Sequence, residues 1–476
     1  MSYKTIIGLE IHVELLTNSK MFCSCKNEFG SEPNSNCCPV CLGMPGTLPL
    51  INEYAVECAI KAGLSLNSKI NNNSRMDRKN YFYPDLVKGY QITQDEIPIC
   101  DGGYIEVEGE EGVKKVGLIR IHMEEDTGKM THMDSGETLI DYNRSGVPLI
   151  EIVSKPEMNS PEEARQFLDS LKNLMQYIGV SDCKMEEGSL RCDVNINVVD
   201  NNSGKKTNIT EVKNLNSFSA AVKAMEYEEK RHMELLKNGE NTEKETRRWD
   251  DGINETVVMR KKLIATDYRY VPEGDIPPIY VSQEWVDKIK ESLPELPDAK
   301  KQRFMDEYSL SEYDAKILSS TIEISKFFEE VLKTQNDSKL VANWVIGEVL
   351  RILNDKEKEI NELSLEPIEL SKLLDFIKED KINNNTGKKV LKEMVDTNKS
   401  AEEIIKERGL IQISDESHIK EVVDKVIANN QQSVEDFHNG KDRALGFLVG
   451  QVMKEMKGKA NPKIVNELVA EALKLQ

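Results

Sequence analysis

The sequence predicts an α+β fold in which the N-terminal part carries the strands and the C-terminal part is helical. From Met1 to about Leu296, short apolar runs such as VGLIRIHMEED and SGVPLIEIVS alternate with Gly, Pro and Asn, a pattern typical of strands and turns. After the segment LPELPDAKKQRF, long charged and amphipathic stretches continue to the end, a texture typical of helices.

The length indicates more than one domain, since 476 residues exceed the size of an ordinary single domain. We place one boundary near Pro297, where the texture changes, and another near residue 400, after the polar break KINNNTGKK at 381–389. The expected domains span residues 1–296, 297–400 and 401–476.

One helix is predicted within the strand-rich part. Ser160 is expected to cap it, Pro161 occupies its first turn, and Gly179 follows its last apolar residue. Its apolar face consists of Phe167, Leu171, Leu174, Met175 and Ile178. We expect that face to pack on the core.

Charge and composition narrow the class of protein. Hydrophobic residues make up 39% and charged residues 31%, which is typical of a folded globular chain. The formal net charge of -20 argues against a broad basic surface for nucleic acid, so any RNA site must be local. One local cluster contains Lys441, Arg443, Lys454, Lys457, Lys459 and Lys463. It predicts a patch that contacts RNA, and a solvated helix face explains it as well.

The first residues, MSYKTIIGLEIHVELL, lack the apolar core of a signal peptide. No apolar stretch approaches the roughly 18 to 20 residues that span a bilayer. We therefore expect a cytoplasmic protein with no membrane contact.

Five of the nine cysteines fall between Cys23 and Cys41, which suggests a metal site in a reducing compartment. Cys25, Cys38 and Cys41, with Cys23 as fourth ligand, suit tetrahedral zinc, and such a closed four-sulfur site is structural. The neighbouring Cys37 leaves the ligand set ambiguous, and free thiols in a loop are the alternative.

A second group consists of acids and an imidazole in strand-like segments: Glu10, His12, Glu14, Glu124, Glu125 and Glu151. Alternation puts the first three on one strand face, which either faces solvent or lines a polar site. Glu151 lies within an apolar run, where a buried charge needs compensation, and a divalent cation such as Mg²⁺ would supply it. Neither a GxxxxGK[ST] loop nor a GxGxxG loop after a strand is present to cradle nucleotide phosphates.

Basic and aromatic residues interleave in RMDRKNYFYPDLVKGYQITQ, which contains Lys79, Tyr81 and Lys88. Such residues can bind phosphates and stack on rings, and an ordinary aromatic packing loop is the alternative. Arg144 precedes a tight turn just before Glu151, where a cation and backbone amides could hold an anion. The four candidates for contacts with an anionic cofactor are Lys79, Tyr81, Lys88 and Arg144.

Several segments together resemble one family, namely the B subunits of the tRNA-dependent amidotransferases, or GatB family. They include GLEIHVEL, CCPVCLGMPGTLP, RKNYFYPDLVKGYQITQ, IHMEEDTGK, DYNRSGVPLIEIVS, EEGSLRCDVNIN, EVKNLNSF, ETRRWDD and ALGFLVGQVMK. The resemblance runs from about residue 3 to the end.

The resemblance implies a catalytic domain similar to glutamine synthetase and guanidino kinases, a helical domain, and a helical tail that binds tRNA. It implies a heterotrimer with the A and C subunits of the same enzyme, in which ammonia from the glutaminase subunit reaches the GatB-type chain. There ATP and Mg²⁺ would activate the side-chain carboxylate of Glu-tRNA(Gln) and/or Asp-tRNA(Asn), and amidation would give Gln-tRNA(Gln) and/or Asn-tRNA(Asn).

Carried over by motif, the resemblance implies Mg²⁺ ligands at His12, Glu125 and Glu151, with Glu10 beside them. Glu125 also resembles a position that gates the ammonia channel, and Lys79, Tyr81 and Lys88 fall in a motif that lines the same region. Cys23, Cys25, Cys38 and Cys41 correspond to the zinc ligands of those members that have them. Where many relatives have DYRYFPEPD, this chain has DYRYVPEGD, and we expect only local consequences.

Two other functions compete with this one. A zinc-stabilised RNA-binding scaffold would bind tRNA without hydrolysing ATP, but it leaves Glu151 unexplained. A self-contained glutaminase would need a reactive thiol such as Cys58, Cys183 or Cys192 with a paired His.

Overall fold

The computed structural model describes residues 3–109, 112–261, 267–411, 416–438, 441, 443–456 and 460–474. The chain divides into two compact units, Met1–Leu296 and Pro297–Gln476. The strands of the described residues lie in the first unit and the second is helical, so the α+β expectation is confirmed. The further boundary near residue 400 stays a prediction.

The strands of the first unit are β1 (Tyr3–Glu14), β2 (Lys69–Ile70), β3 (Asn73–Ser74), β4 (Asp77–Asn80), β5 (Tyr90–Thr93), β6 (Cys100–Asp101), β7 (Tyr104–Gly109), β8 (Gly112–Glu125), β9 (Lys129–His132), β10 (Thr138–Asp141), β11 (Pro148–Ser154), β12 (Leu190–Asp200), β13 (Thr210–Lys213), β14 (Glu245–Asp250), β15 (Glu255–Lys261), β16 (Val271–Pro272) and β17 (Ile279–Tyr280). Its helices are α1 (Glu53–Ser65), α2 (Pro161–Tyr177), α3 (Phe218–Lys237) and α4 (Gln283–Ser292).

Ten strands of the described chain form the main sheet, in the order β15-β14-β13-β12-β1-β11-β8-β6-β2, with β7 paired to β8. Of these pairings, only that between β13 and β14 is parallel. The long strand β1 lies near the centre, between β12 and β11. Its position places its side chains among those of both neighbours.

The core of the first unit lies where apolar residues of the sheet meet those of the helices. Ile11 and Val13 of β1 are fully buried in one cluster with Phe167 and Leu171 of α2. The predicted start of α2 is confirmed, because the Ser160 side chain accepts a hydrogen bond from the backbone N–H of Glu163. The helix thus packs through the apolar face that the sequence indicated.

The helices of the second unit are α5 (Pro297–Tyr308), α6 (Glu312–Leu318), α7 (Ile322–Leu332), α8 (Ser338–Trp344), α9 (Leu350–Lys356), α10 (Pro367–Lys378), α11 (Asn384–Thr397), α12 (Ala401–Glu407), α13 (Glu416–Asn429), α14 (Gln431–His438), α15 (Arg443–Glu455) and α16 (Pro462–Lys474). A π-helical turn, Val345–Val349, joins α8 to α9. One hydrophobic cluster runs from Phe304 to Ile405 and a second from Ile419 to Leu473. Within the described residues, none of the helices has the length and apolar character needed to cross a membrane.

Candidate active site and metal sites

The candidate active site lies on the face of β1 that points away from the core. Ile11 and Val13 are buried, whereas Glu10, His12 and Glu14 alternate with them and remain partly exposed. The predicted alternation is therefore confirmed. Because Glu10 and His12 line a cavity and do not pack in the core, this face is available for chemistry.

Strand register brings four ionisable side chains into one row across the sheet. His12 of β1 is opposite Arg191 of β12 and Glu151 of β11, and Glu151 is opposite His122 of β8. Directly opposite residues project from the same face, with Cβ atoms about 5 Å apart. The row therefore places one imidazole on each side of the Glu151 carboxylate, His12 on one side and His122 on the other.

His12 and Glu151 of this row form a compact cluster with Glu124, which lies two residues after His122 on β8. His12 Nε2 lies 3.1 Å from Glu124 Oε1 and 3.5 Å from Glu151 Oε2. One ligand atom from each of the three residues lies within 4.8 Å of the others, so together they are close enough to hold a metal ion. His122 Nε2 lies 3.1 Å from Glu151 Oε2 and fixes that carboxylate from the other side.

Glu125, which was expected in this cluster, lies elsewhere, and Glu124 takes its place. Successive residues of a strand point to opposite faces, so Glu124 of β8 reaches His12 while Glu125 points away. Glu125 pairs with the Lys88 ammonium and accepts a hydrogen bond from the backbone N–H of Ile92, 3.0 Å long. The metal role predicted for Glu125 thus does not match the observed geometry, which favours Glu124.

Burial and the close acids control the charges of the cluster. Burial lowers the pKa of His12, but the hydrogen bond with Glu124 and the charges of Glu124 and Glu151 outweigh it and raise the pKa to about 9. Burial raises the pKa of each cluster acid, but His12 at Glu124 and His122 at Glu151 outweigh it, and the net shift of both pKa values is downward. Burial and the charge of Glu151 raise the pKa of Glu10. Both cluster acids therefore remain carboxylates at neutral pH, as ligands for a hard cation must.

A cavity of about 700 Å³ surrounds the cluster. Its cationic lining residues are Lys79, Arg120, Arg191, Lys213 and Arg260. The Lys79 ammonium lies 5.0 Å from the ring centroid of Tyr268 and 5.9 Å from that of Tyr81, and within the described residues it pairs with no carboxylate. A cation held by two rings remains available for an anionic ligand.

A second group of acids lines the same cavity beside Glu10. Asp193 and Glu211 offer oxygens within 4.8 Å of one from Glu10. The Lys213 ammonium pairs with Asp193 and lies 3.2 Å from Glu211 Oε1, while Asn195 Nδ2 donates to Glu10 Oε1 over 2.9 Å. The group is therefore neutralised in part by the protein itself.

Arg144 does not line this cavity within the described part of the chain. Its Nε donates to Thr127 O over 3.0 Å and its Nη2 to Gly128 O over 2.9 Å. The turn amides are also used internally, since Gly146 N donates to Asp126 O over 2.9 Å. Arg144 thus connects two loops through these bonds, and the anion site predicted at this turn stays a prediction.

A smaller cavity of about 220 Å³ contains the Lys88–Glu125 pair and Cys41. Strands β5 and β8 lie between the two cavities, because successive side chains of each strand point to opposite faces. Ile92 and Glu125 face the small cavity, whereas Thr93 and Glu124 face the large one. Lys88, predicted to contact an anionic cofactor, therefore lies in a different cavity from Lys79. The two cavities share a wall one strand thick.

Four cysteine sulfurs form a separate cluster, from Cys23, Cys25, Cys38 and Cys41, all within 4.8 Å of one another and close enough to hold a metal ion. Cys37 is not part of this group, and its Sγ lies 3.6 Å from Asn143 Oδ1. The hydrogen bond from Cys23 lowers the pKa of Cys41 to about 4, against the effect of burial. The structure thus brings together the four cysteines that the spacing indicated, and their role as zinc ligands stays a prediction.

The basic cluster of the tail is only partly described. Arg443, Lys454 and Lys463 are exposed, and Lys441 Nζ pairs with Asp436 Oδ1 at 2.9 Å. Lys457 and Lys459 lie outside the described residues. The role of this cluster in RNA binding stays a prediction.

Four residues of this site were not predicted from the sequence: His122, Arg191, Asp193 and Lys213. The alternation His122-x-Glu124 and the alternation Arg191-x-Asp193 in LRCDVN both mark a polar strand face, so a signal was present. What the sequence lacks is the pairing that puts Arg191 opposite His12, 179 residues earlier in the chain.

A carboxylate and imidazole cluster beside several cations, on one face of a mixed sheet, could hold a metal ion and an anionic ligand together, as metal-dependent enzymes do. Comparison with known families specifies the class further. The GatB/GatE catalytic domain matches residues 5–287, and the GatB domain matches residues 326–473. The chain therefore belongs to the GatB/GatE family.

Curated relatives cover nearly the whole chain. The B subunit of the aspartyl/glutamyl-tRNA(Asn/Gln) amidotransferase of Clostridium botulinum is 54% identical over 99% of both chains. The protein of the same name from Finegoldia magna is 54% identical over 99% of this chain and 100% of its own. That from Clostridium tetani is 53% identical over 99% of both. The resemblance to the B subunits of tRNA-dependent amidotransferases is thereby confirmed.

Proposed function

We propose that this chain is the amidating subunit of a tRNA-dependent amidotransferase, a ligase of protein biosynthesis. It uses ATP to phosphorylate the side-chain carboxylate of Glu-tRNA(Gln) and/or Asp-tRNA(Asn), and ammonia then replaces the phosphate. The names of the full-length relatives support the reaction. The large cavity supports assigning this reaction to particular residues, because it contains both the cluster of His12, Glu124 and Glu151 and the ammonium of Lys79.

The donor set of the cluster fits Mg²⁺. Two carboxylates and one imidazole, without sulfur, suit a hard divalent cation. Glu124 and Glu151 would hold it together with His12, whose imidazole would lose its proton when the metal binds. When bound, the metal neutralises phosphate charge during phosphoryl transfer. His122 orients Glu151, because its Nε2 lies 3.1 Å from Glu151 Oε2.

The cations of the cavity bind the phosphates. Lys79 is available because it rests on tyrosine rings rather than on an acid within the described residues. Arg191 is anchored by Asp126, with Nη2 2.6 Å from Oδ2, so its guanidinium is held in a fixed position beside His12. Fixed cations stabilise the charge that spreads over the transferred phosphoryl group without moving during the reaction.

The chemistry requires two displacements. An oxygen of the substrate carboxylate attacks the γ-phosphorus, the bond to the β-phosphate oxygen breaks, and ADP leaves. Ammonia then attacks the acyl carbon, inorganic phosphate leaves with the former carboxylate oxygen, and the nitrogen loses a proton. Activation is needed because a carboxylate has no good leaving group, and the acyl phosphate must be protected from water.

The small cavity supports a role in supplying ammonia. It is enclosed by the Lys88–Glu125 pair and lies across a wall one strand thick from the phosphorylating cluster. The ammonia would come from the glutaminase, or A, subunit, held with the C subunit in a cytoplasmic heterotrimer. The basic residues Arg443, Lys454 and Lys463 of the tail would contact tRNA.

The four-cysteine loop would hold a structural zinc ion. Four sulfurs within 4.8 Å of one another fit the tetrahedral coordination of zinc and leave no open ligand position. The loop would thus be stabilised by the metal without taking part in the reaction.

The test is Mg-ATP-dependent conversion of Glu-tRNA(Gln) to Gln-tRNA(Gln), and of Asp-tRNA(Asn) to Asn-tRNA(Asn), by the chain purified with its two partner proteins. Ammonium chloride supplies the nitrogen, and wild type is compared with Glu151→Gln and with Glu106→Gln, an exposed glutamate of β7. We expect Glu151→Gln to lose at least about 100-fold in rate and Glu106→Gln to match wild type. An intact, tRNA-binding complex that converts neither substrate would refute the proposed function.

A further inference from the structure

Lys20 is an unusual residue, because its long cationic side chain is 0% exposed. Its ammonium donates to Asn36 O at 2.9 Å and to Tyr142 O at 3.4 Å. Its third neighbour is the sulfur of Cys41, at 3.6 Å. Within the described parts of the chain, Lys20 makes no ion pair with a carboxylate.

A buried ammonium needs an opposite charge close by, and two neutral carbonyl groups do not provide one. The Cys41 sulfur is the neighbour that can, because it belongs to the cluster of four sulfurs. Neutral thiols would leave Lys20 uncompensated. Four thiolates around a divalent metal ion carry a net charge of -2, which a buried cation offsets in part.

The hydrogen bonds of Lys20 connect both halves of the sulfur cluster. Its backbone N–H donates to Cys25 O over 3.0 Å, and its side chain donates to Cys41 Sγ. Cys41 Sγ also accepts from the backbone N–H of Cys38, at 3.1 Å. A sulfur that accepts two N–H donors, one of them cationic, has the environment of a metal-bound thiolate.

We propose that Lys20 is the counter-charge of a metal–tetrathiolate centre formed by Cys23, Cys25, Cys38 and Cys41, and that it retains the metal in the loop. This inference rests on the zinc site proposed above. Lys20 acts as a positioning residue through the Cys41 sulfur and contacts no metal itself. Its charge favours the loaded, negatively charged centre over the empty one.

The test compares Lys20→Met, which keeps the length of the side chain but removes its charge, with Lys26→Met. Lys26 follows Cys25 directly but is exposed, so it controls for loss of a cation near the loop. Zinc per full-length chain is measured by mass spectrometry, and zinc release to an excess of a chromogenic chelator is followed by absorbance. We expect release at least about tenfold faster from Lys20→Met and unchanged release from Lys26→Met.

Equal release rates for wild type and Lys20→Met would overturn the role of Lys20 while leaving the zinc site intact. A wild-type chain that neither contains nor binds zinc would overturn the zinc proposal, and this inference with it. The zinc content of the wild type therefore distinguishes the two failures.

A second comparison separates charge compensation from simple bracing of Asn36 and Tyr142. In a Cys38→Ser, Cys41→Ser background the negative charge that Lys20 compensates is gone, so adding Lys20→Met should leave the melting temperature unchanged or raise it. In the zinc-loaded parent, Lys20→Met should lower it. An equal decrease in both backgrounds, or an insoluble triple variant beside a soluble double variant, would show that Lys20 only braces the carbonyls and would refute the proposal.

Discussion

Replacing Glu124 with glutamine is expected to abolish aminoacyl-tRNA-dependent ATP cleavage, whereas the same replacement at Glu125 is expected to leave that step intact. The two residues are adjacent and both are buried, but they face different cavities. The two variants are thus matched in chemistry and position along the chain. Only the face of β8 differs.

The size of the effect follows from the contacts of each carboxylate. Glu124 is one of the two acids of the cluster, with Oε1 3.1 Å from His12 Nε2, so Glu124→Gln halves the negative charge available to a divalent ion. Loss of residues that merely support a metal ligand costs 10- to 100-fold in affinity or activity, so we expect a decrease of at least about 100-fold. Glu125→Gln instead leaves the Lys88 ammonium unpaired, which should cost roughly 3–5 kcal/mol of stability.

The assay measures ADP release and amide formation separately, with ammonium chloride as nitrogen source and Mg²⁺ varied. Glu124→Gln should fail in both, whereas Glu125→Gln should release ADP and be impaired, if at all, in amide formation and in melting temperature. Loss of ADP release in Glu125→Gln, with retention in Glu124→Gln, would refute the assignment of the metal cluster to Glu124.

Two further comparisons test the remaining assignments. Lys79→Met should raise the KM for ATP at least about tenfold, because it removes a phosphate contact. Arg144→Met should instead lower the melting temperature and leave the KM for ATP unchanged. Steady-state kinetics measures the first effect and thermal unfolding the second. Burial lowers the pKa of His232 in the folded chain. As the pH falls below about 6.5, His232 therefore takes up a proton in the unfolded chain before it does so in the folded chain. The folded state is then stabilised less than it is above that pH. Urea unfolding between pH 7.5 and 5.5 should therefore show a shallower decline for His232→Gln than for wild type, by at most about 1.4 kcal/mol per pH unit, and identical slopes would contradict this account.

The sequence predicted those parts of the site that depend on one strand or one loop. Alternation sufficed to place Glu10, His12 and Glu14 on one face, and spacing sufficed to gather the four cysteines. Alternation also separates Glu124 from Glu125, but it does not tell which of them shares the face of His12. That choice depends on the register of β8 against β11 and of β11 against β1.

The remaining site residues depend on contacts that local patterns do not encode. Arg191 reaches the cluster only because β12 pairs with β1. Arg144 has the sequence context of an anion-binding turn, yet its donors are satisfied by Thr127 O and Gly128 O. Whether a cation serves a ligand or the protein is decided by the acceptors that the fold brings to it.

The shared wall has a consequence for a two-step reaction. In the reaction proposed above, an acyl phosphate has to meet ammonia without meeting water, so the two reactants would best be kept on separate sides of a barrier until they react. β5 and β8 form the wall between the two cavities, and β8 ends at Glu125, where the carboxylate pairs with Lys88. The same carboxylate accepts a hydrogen bond from the backbone N–H of Ile92, 3.0 Å long, so Glu125 joins the end of β8 to β5 as well as to Lys88. A change at Glu125 would therefore act on the end of the wall between the two cavities and not on the cluster that contains Glu124.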